Sequence, residues 1–173
     1  MWFKTLDILG KQLIPIVQGG MGVGVSAHHL AGAVARENGV GTIASIDLRH
    51  HHPDLEEQTE HCRDRDQIDQ ANLIALDREI KAAKRLAEGH GAIAVNVMKA
   101  VRQHPALIQQ ACESGADVLV MGAGLPLDLP EMVADFPKMG LVPILSESRG
   151  VAIVMKKWLK KGRCPDAIVI EHP

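Results

Sequence analysis

The chain has 173 residues, enough to bury one sizeable core, so a single domain spanning 1–173 is the expected arrangement. An apolar fraction of 46%, a charged fraction of 23% and a formal net charge of −2 are ordinary for a globular protein and give no electrostatic case for a nucleic-acid partner. No apolar run of about 18 residues is present to cross a bilayer, and the stretch MWFKTLDILGKQL lacks the apolar core and cleavage site of a secretory signal, so a cytoplasmic location is expected.

The first apolar run, Ile14–Gln18, reads as a buried strand and ends in the glycine-rich stretch QGGMGVGVSA. Ser26 is placed to cap a helix with Ala27, Leu30, Ala31 and Val34 on its apolar face, and Gly39 supplies the stop. A second strand is expected at Val40–Ser45. From Asp47 to about Arg65 a polar, histidine-rich insert follows, on the side of a parallel β/α protein where sites form. Leu73, Leu76, Ile80, Ala83 and Ala87 then recur at helical spacing, with Asp77 and Lys81 paired on the exposed side.

Further strands are expected at Ala92–Val97, Asp117–Met121, Leu141–Leu145 and Ala167–Ile170. Between them, Pro105 opens a helix through Leu107, Ile108 and Ala111, Asp128 and Glu131 bracket a short one that Pro137 ends, and another runs from Ser148 to about Lys161. Strand and helix thus alternate at roughly 25 residues per unit, which predicts a parallel sheet. The scarcity of aromatic residues, with two Phe, two Trp and no Tyr, leaves the core to Val, Ile, Leu, Ala and Met and removes stacking platforms for bases.

Cys62, Cys112 and Cys164 are odd in number and widely spaced, which suits reduced thiols. His50, His51, His52, His61 and Cys62 invite a metal reading. Adjacent histidines on a loop diverge, however, and without regular ligand spacing a solvated loop is favoured and no metal is expected.

The glycine-rich stretch is where chemistry concentrates. Glycines at 19, 20, 22 and 24 clear side chains from a strand end and let backbone N–H groups approach an anionic or planar ligand. Read from the residues alone, Gly22, Gly24 and Ala27 also satisfy GxGxxA, and Asp47 stands where a ribose hydroxyl would be bound, so an NAD(P)-binding doubly wound sheet stays open beside a turn that merely packs tightly.

The order of five segments narrows this. PIVQGGMGVGVS at 15–26, LAGAVARENGVGTI at 30–43, AVNVM at 94–98, VLVMGAGLP at 118–126 and VPILS at 142–146 together resemble the nitronate monooxygenase family, formerly 2-nitropropane dioxygenases. The same order is similar to the related flavin-dependent enoyl-acyl-carrier-protein reductases. The resemblance implies an FMN-binding parallel β/α (TIM-type) barrel, with about the first six βα units in this chain and the rest missing. It implies flavin contacts at Gln18, Gly19, Gly20, Met21 and Asn96, with Ser146 and Glu171 as further cofactor positions, and a substrate-proximal loop at Gly122, Ala123 and Gly124.

Several of these have a plainer alternative: Met21 as core filler, Asn96 as a cap on its own strand end, and the loop at 122–126 and Ser146 as turn chemistry. The implied activity is oxidation of alkyl nitronates or nitroalkanes by O2 to carbonyl compounds and nitrite. Reduction of an enoyl thioester, or a catalytically incomplete fragment, are the alternatives. The family's histidine base is expected beyond Pro173, and His172 does not match its place. An open barrel also leaves sheet edges through which a homo-oligomer is expected to form.

Overall fold

The structure, a computed structural model, describes residues 3–171. Five strands run parallel and neighbour one another in strict chain order: β3 (Val40–Ala44), β4 (Ala92–Met98), β5 (Val118–Gly122), β6 (Gly140–Leu145) and β7 (Val169–Ile170). Helix α1 (His28–Arg36) precedes β3, and α3 (Arg65–Ala87), α4 (His104–Glu113), α5 (Leu129–Met132) and α6 (Ser148–Leu159) lie between the strands in sequence. Consecutive order with no reversal is singly wound topology, and the sheet curls into part of a TIM-type barrel.

Side-chain alternation sorts the two faces. Ile43, Ile93, Val95, Leu119, Met121 and Leu141 point outward into one core with the helices, where Leu76, Ile80, Leu107, Ile108, Val154 and Trp158 meet them. Val40, Ala92, Ala94, Val118, Val120 and Val142 point to the concave face instead and form a second core. A doubly wound sheet would carry helices on both faces. Here the concave face packs against an antiparallel hairpin, β1 (Leu6–Ile8) and β2 (Lys11–Leu13), through Ile8 and Leu13, so the doubly wound reading is set aside.

This hairpin escapes the sequence pattern because its strands have three residues each. It turns on Leu9 and Gly10, both at positive φ (57° and 72°), as a two-residue hairpin turn with the right twist requires. Lys11 anchors it at the strands' N-terminal ends: its Nζ donates to Gly91 O at 3.0 Å and lies 3.5 Å from Asp117 Oδ1. Asp117 also accepts from Lys84 Nζ at 2.9 Å and from the Ile93 N–H at 2.8 Å.

The expected strand at 14–18 is reduced to a single parallel bridge, Val17 to Val40. Three backbone bonds hold the segment beside β3: Ile14 N to Asn38 O, Val40 N to Ile16 O and Gln18 N to Val40 O. Pro15 has no N–H to give, and among the described residues no strand lies on its other side. The last strand is likewise shorter than expected, two residues in place of four.

The histidine-rich insert is folded, contrary to the solvated loop expected. Leu48 and Leu55 are buried in the outer core. They anchor a 3₁₀ turn (Leu48–His51) and α2 (Pro53–Thr59), which starts with Pro53 and with Asp54 and Glu56 in its first turn. Arg78 of α3 grips the Asp54 carboxylate with two parallel bonds of 2.9 Å. α3 buries Asn72 and Glu79 alongside Ala75, Leu76, Ile80 and Ala83, two polar residues that the apolar spacing does not announce. Among the described residues no helix is long and apolar enough to cross a membrane.

Candidate functional site

The segment from Gln18 to Ser26 leaves the bridge beside β3, passes over the strands' C-terminal ends and enters α1. Ser26, expected as the cap of that helix, does not cap it: the N-cap is Ala27, with no side-chain bond. Ser26 is fully buried and is the centre of the loop. Its Oγ donates to Gly19 O at 3.0 Å and accepts from Met21 N at 2.9 Å and from Gln18 Nε2 at 2.7 Å. The other end of the Gln18 carboxamide accepts from the Thr42 N–H at 2.9 Å, so both ends of this side chain are spent on shaping the loop.

With the loop tied this way, its residues meet the strand ends at contact distance. A Cβ built at Gly20 would stand 2.6 Å from Asn96 Cβ, so only glycine admits the carboxamide of β4 at that point. Around Gly19 there is open space. Met21 is 46% exposed and faces the hollow, which argues against its being core filler. Gly22 and Gly24, the glycines of the dinucleotide-like pattern, are filled by the protein itself: Ile46 lies against the first and the His51 ring against the second. Asp47, the ribose candidate, is engaged by Arg49 and Asn72.

A cavity of about 730 Å³ opens along the concave face and is lined by Gln18, Gly19, Gly20, Met21, Asn96, Gly122, Ala123 and Glu171. The size suits a drug-sized or cofactor-sized molecule. Gly124 and Ser146 line a neighbouring hollow of about 490 Å³ beside the start of α6, and the two share Ala123, Ile144 and Glu171. The positions drawn from distant parts of the sequence therefore gather at one end of the sheet, in two connected depressions. The Asn96 carbonyl accepts from Ser45 N and Oγ, which fixes this end of β4, while its side chain stays on the cavity wall. Ala123 holds the left-handed conformation at φ 55°, which costs a residue with a Cβ about 1 kcal/mol and sets the sharp exit from β5.

Thr42 belongs to this site and was not singled out in the sequence. It is 2% exposed, lines the cavity, and its Oγ1 has no hydrogen-bond partner. The signal was a lone hydroxyl within VGTIA, a run otherwise buried as apolar strand. At the rim, Lys99 N donates to Gly122 O at 2.8 Å and Lys99 Nζ pairs with Asp128. Partial burial works to raise the Asp128 carboxyl, but the Lys99 hydrogen bond, aided by a backbone N–H and the lysine charge, holds it below its ordinary range.

The remaining candidates disperse. His50 turns to Glu56, His51 to Gly24 and His52 to Glu79, while His61 is exposed. Among the described residues no three such side chains gather as a metal site. His172 lies outside the described residues.

No protein-family model matches the chain, and no curated protein matches its sequence. Among solved structures, FabK from Thermotoga maritima superposes with a TM-score of 0.63 at 17% identity, over 90% of this chain and 40% of FabK. The chain shares the FabK fold. A point variant of the same FabK gives a TM-score of 0.62 at 18% identity, over 95% of this chain and 43% of its own. The chain thus spans about two-fifths of the length of FabK. Nitroalkane oxidase from Streptomyces ansochromogenes matches at 17% identity over 90% of this chain and 64% of its own, with a TM-score of 0.39. The FabK fold agrees with the consecutive parallel order and the one-sided helices derived above.

Proposed function

We propose that this chain carries the flavin-facing side of an FMN-dependent oxidoreductase that acts on alkyl nitronates or nitroalkanes with O2. The observation that carries the reading is the meeting of Gly19, Gly20 and Met21 with Asn96 at the C-terminal ends of a parallel β/α sheet, around a cavity with open space at Gly19. The residues fit the cofactor. A planar ring needs a bed without side chains, which Gly19 and Gly20 provide, and ring-edge acceptors and donors, which the Asn96 carboxamide supplies. The partnerless Thr42 hydroxyl, buried in the same wall, offers one more polar contact for a ligand inside.

Bound there, the flavin would supply the electron-transfer chemistry. The chain's own part is to bind and orient. Ser26 and Gln18 hold the bed, and Met21 and the loop Gly122, Ala123 and Gly124 border the space left for a small substrate. Ser146 and Glu171 are assigned to the cofactor's outer edge.

The likeness to FabK favours a second reading, reduction of an enoyl thioester by a nicotinamide donor. The two part on a simple assay. The first expects nitrite release from a nitronate without added nicotinamide; the second expects nicotinamide oxidation with an enoyl thioester. Both require FMN, so the test begins with titration of the purified full chain with FMN, read by quenching of flavin fluorescence and by the absorbance band near roughly 450 nm. No FMN binding at micromolar protein overturns both readings together.

Assembly follows from the sheet edges. Ile16, Val17 and Ile170 are exposed on the two outermost segments, which pair on one side only among the described residues. We propose that copies associate through them in solution. Size-exclusion chromatography with light scattering checks this, and a monomer at 100 µM, on the order of the concentration at which weak edge pairing shows, would refute it.

A further inference from the structure

We propose that Glu79 is a positioning residue for the glycine loop, acting through a latch in which the histidine-rich insert is the second arm. α1 begins without a local cap, because Ala27 has no side-chain oxygen to offer its first N–H groups. The missing acceptor comes from α3: Glu79 Oε2 accepts from His28 N at 2.6 Å and lies 2.8 Å from His28 Nδ1. The other oxygen, Oε1, lies 3.1 Å from His52 Nε2, at the entrance to α2, within ion-pair distance though off the hydrogen-bonding direction. Glu79 is 2% exposed. A buried carboxyl group on an otherwise Ala- and Leu-rich helix face is costly unless it is fully engaged.

The second arm reaches the loop directly. His51 precedes His52, and its ring fills the place of a side chain at Gly24: a Cβ there would stand 1.3 Å from Nε2. Gly24 has φ +69°, so the loop turns sharply under that ring. Asn72, two helical turns before Glu79 on α3, holds the same insert by accepting from Arg49 N at 3.3 Å. The path from Met21 to α1 is therefore fixed at both ends, by Ser26 at the cavity and by Glu79 at the helix, with His51 pressing between.

The geometry assigns the insert a role in shaping the site. Its binding arm rests on the flavin reading above, and its exchange arm does not. The experiment compares hydrogen exchange by mass spectrometry in the full chain and in Glu79→Ala, Glu79→Gln and His52→Ala, followed by FMN titration. Glu79→Ala is expected to speed exchange in residues 17–30 and 46–56 by about 10-fold or more while leaving β4 and β5 at the wild-type rate.

Glu79→Gln keeps an oxygen for the His28 N–H and is expected to restore most protection in 17–30. His52→Ala, the milder lesion, is expected to loosen 46–56 and 22–26. In every variant the loss of FMN affinity should rank with the exchange in 17–30. Unchanged exchange in 17–30 for Glu79→Ala, an equal rise across β4 and β5, failure of the Gln variant to rescue, or unchanged 22–26 in His52→Ala would each overturn the latch. If wild type binds no FMN, the flavin reading fails and the exchange arm alone decides.

Discussion

Replacing Ser26 by alanine removes one oxygen and three hydrogen bonds at a fully buried point. Each neutral bond contributes on the order of 1 kcal/mol net, and a donor left without a partner costs about as much again where water cannot reach it. Met21 N–H is the donor left, since Gln18 Nε2 keeps Gly19 O, and Met21 stands beside the cavity, so the lower end of the range applies. A loss of about 2–3 kcal/mol is expected. With a urea slope of about 2 kcal/mol per molar for a chain of this size, the unfolding midpoint should fall by about 1–1.5 M. A double-mutant cycle with Gln18→Ala should show coupling of about 1 kcal/mol, since the two side chains share one bond. A midpoint drop below about 0.2 M, or strict additivity in the cycle, would refute the hub assigned to Ser26.

Gly19→Ala separates folding from binding, because nothing in the protein lies within 4 Å of the added methyl. Its urea midpoint should match wild type while FMN affinity falls about 10-fold or more through lost ring contact. Gly24→Ala should destabilise by about 1–2 kcal/mol, from the left-handed backbone and the His51 ring, and a second His51→Ala change should recover part of the loss in the same urea titration. Burial raises the Cys112 thiol to about 11, against an ordinary 9.0. Native iodoacetamide labelling at pH 8 should therefore modify exposed Cys164 and leave buried Cys112 unmodified, the Cys112 thiolate being about 100-fold scarcer than its ordinary value would give. For Asp77 and Asp128, burial acts upward but is outweighed by hydrogen bonds from Lys81 and Ser114 and from Lys99, so both carboxyls fall below their ordinary 3.8 when folded. Stability from this source is complete above that value and is lost as pH falls through the lowered ones. The urea midpoint should drop as pH falls below about 4, and less steeply in Asp128→Asn.

The strands β3 to β6 and the helices α1, α3, α4 and α6 were legible because their signals are local and redundant: an apolar run or a 3-and-4 spacing, bounded by Gly or Pro. The hairpin was not, since LDI and KQL are too short to establish alternation and owe their place to Lys11 reaching Gly91 and Asp117, some 80 and 106 positions away. Ser26 misled because a serine before a helix is ordinarily a cap, and only the fold shows that its oxygen turns back to Gly19. The insert misled for the opposite reason: its polar composition hides two leucines, Leu48 and Leu55, that suffice to fold it. Glu79 was readable in principle, as a charge set between Leu76, Ile80 and Ala83 on a buried stripe. Its two partners were not, because helix faces are paired by tertiary packing alone. The site positions came from ordered similarity at strand ends, and the way they converge follows from a parallel sheet, which delivers every strand's C-terminal end to the same side.

The β1–β2 hairpin gives the half-cylinder a stopper. With Ile8 and Leu13 wedged into the floor and Lys11 bolted to two strand entrances, a molecule arriving from that end meets closed protein, and the glycines and Asn96 stand at the opposite rim. The anchoring contacts and the proposed flavin bed thus lie at opposite poles. Substitutions around Lys11, Lys84 and Asp117 should change how firmly the chain holds together, while those around Gly19 and Asn96 should change what it holds.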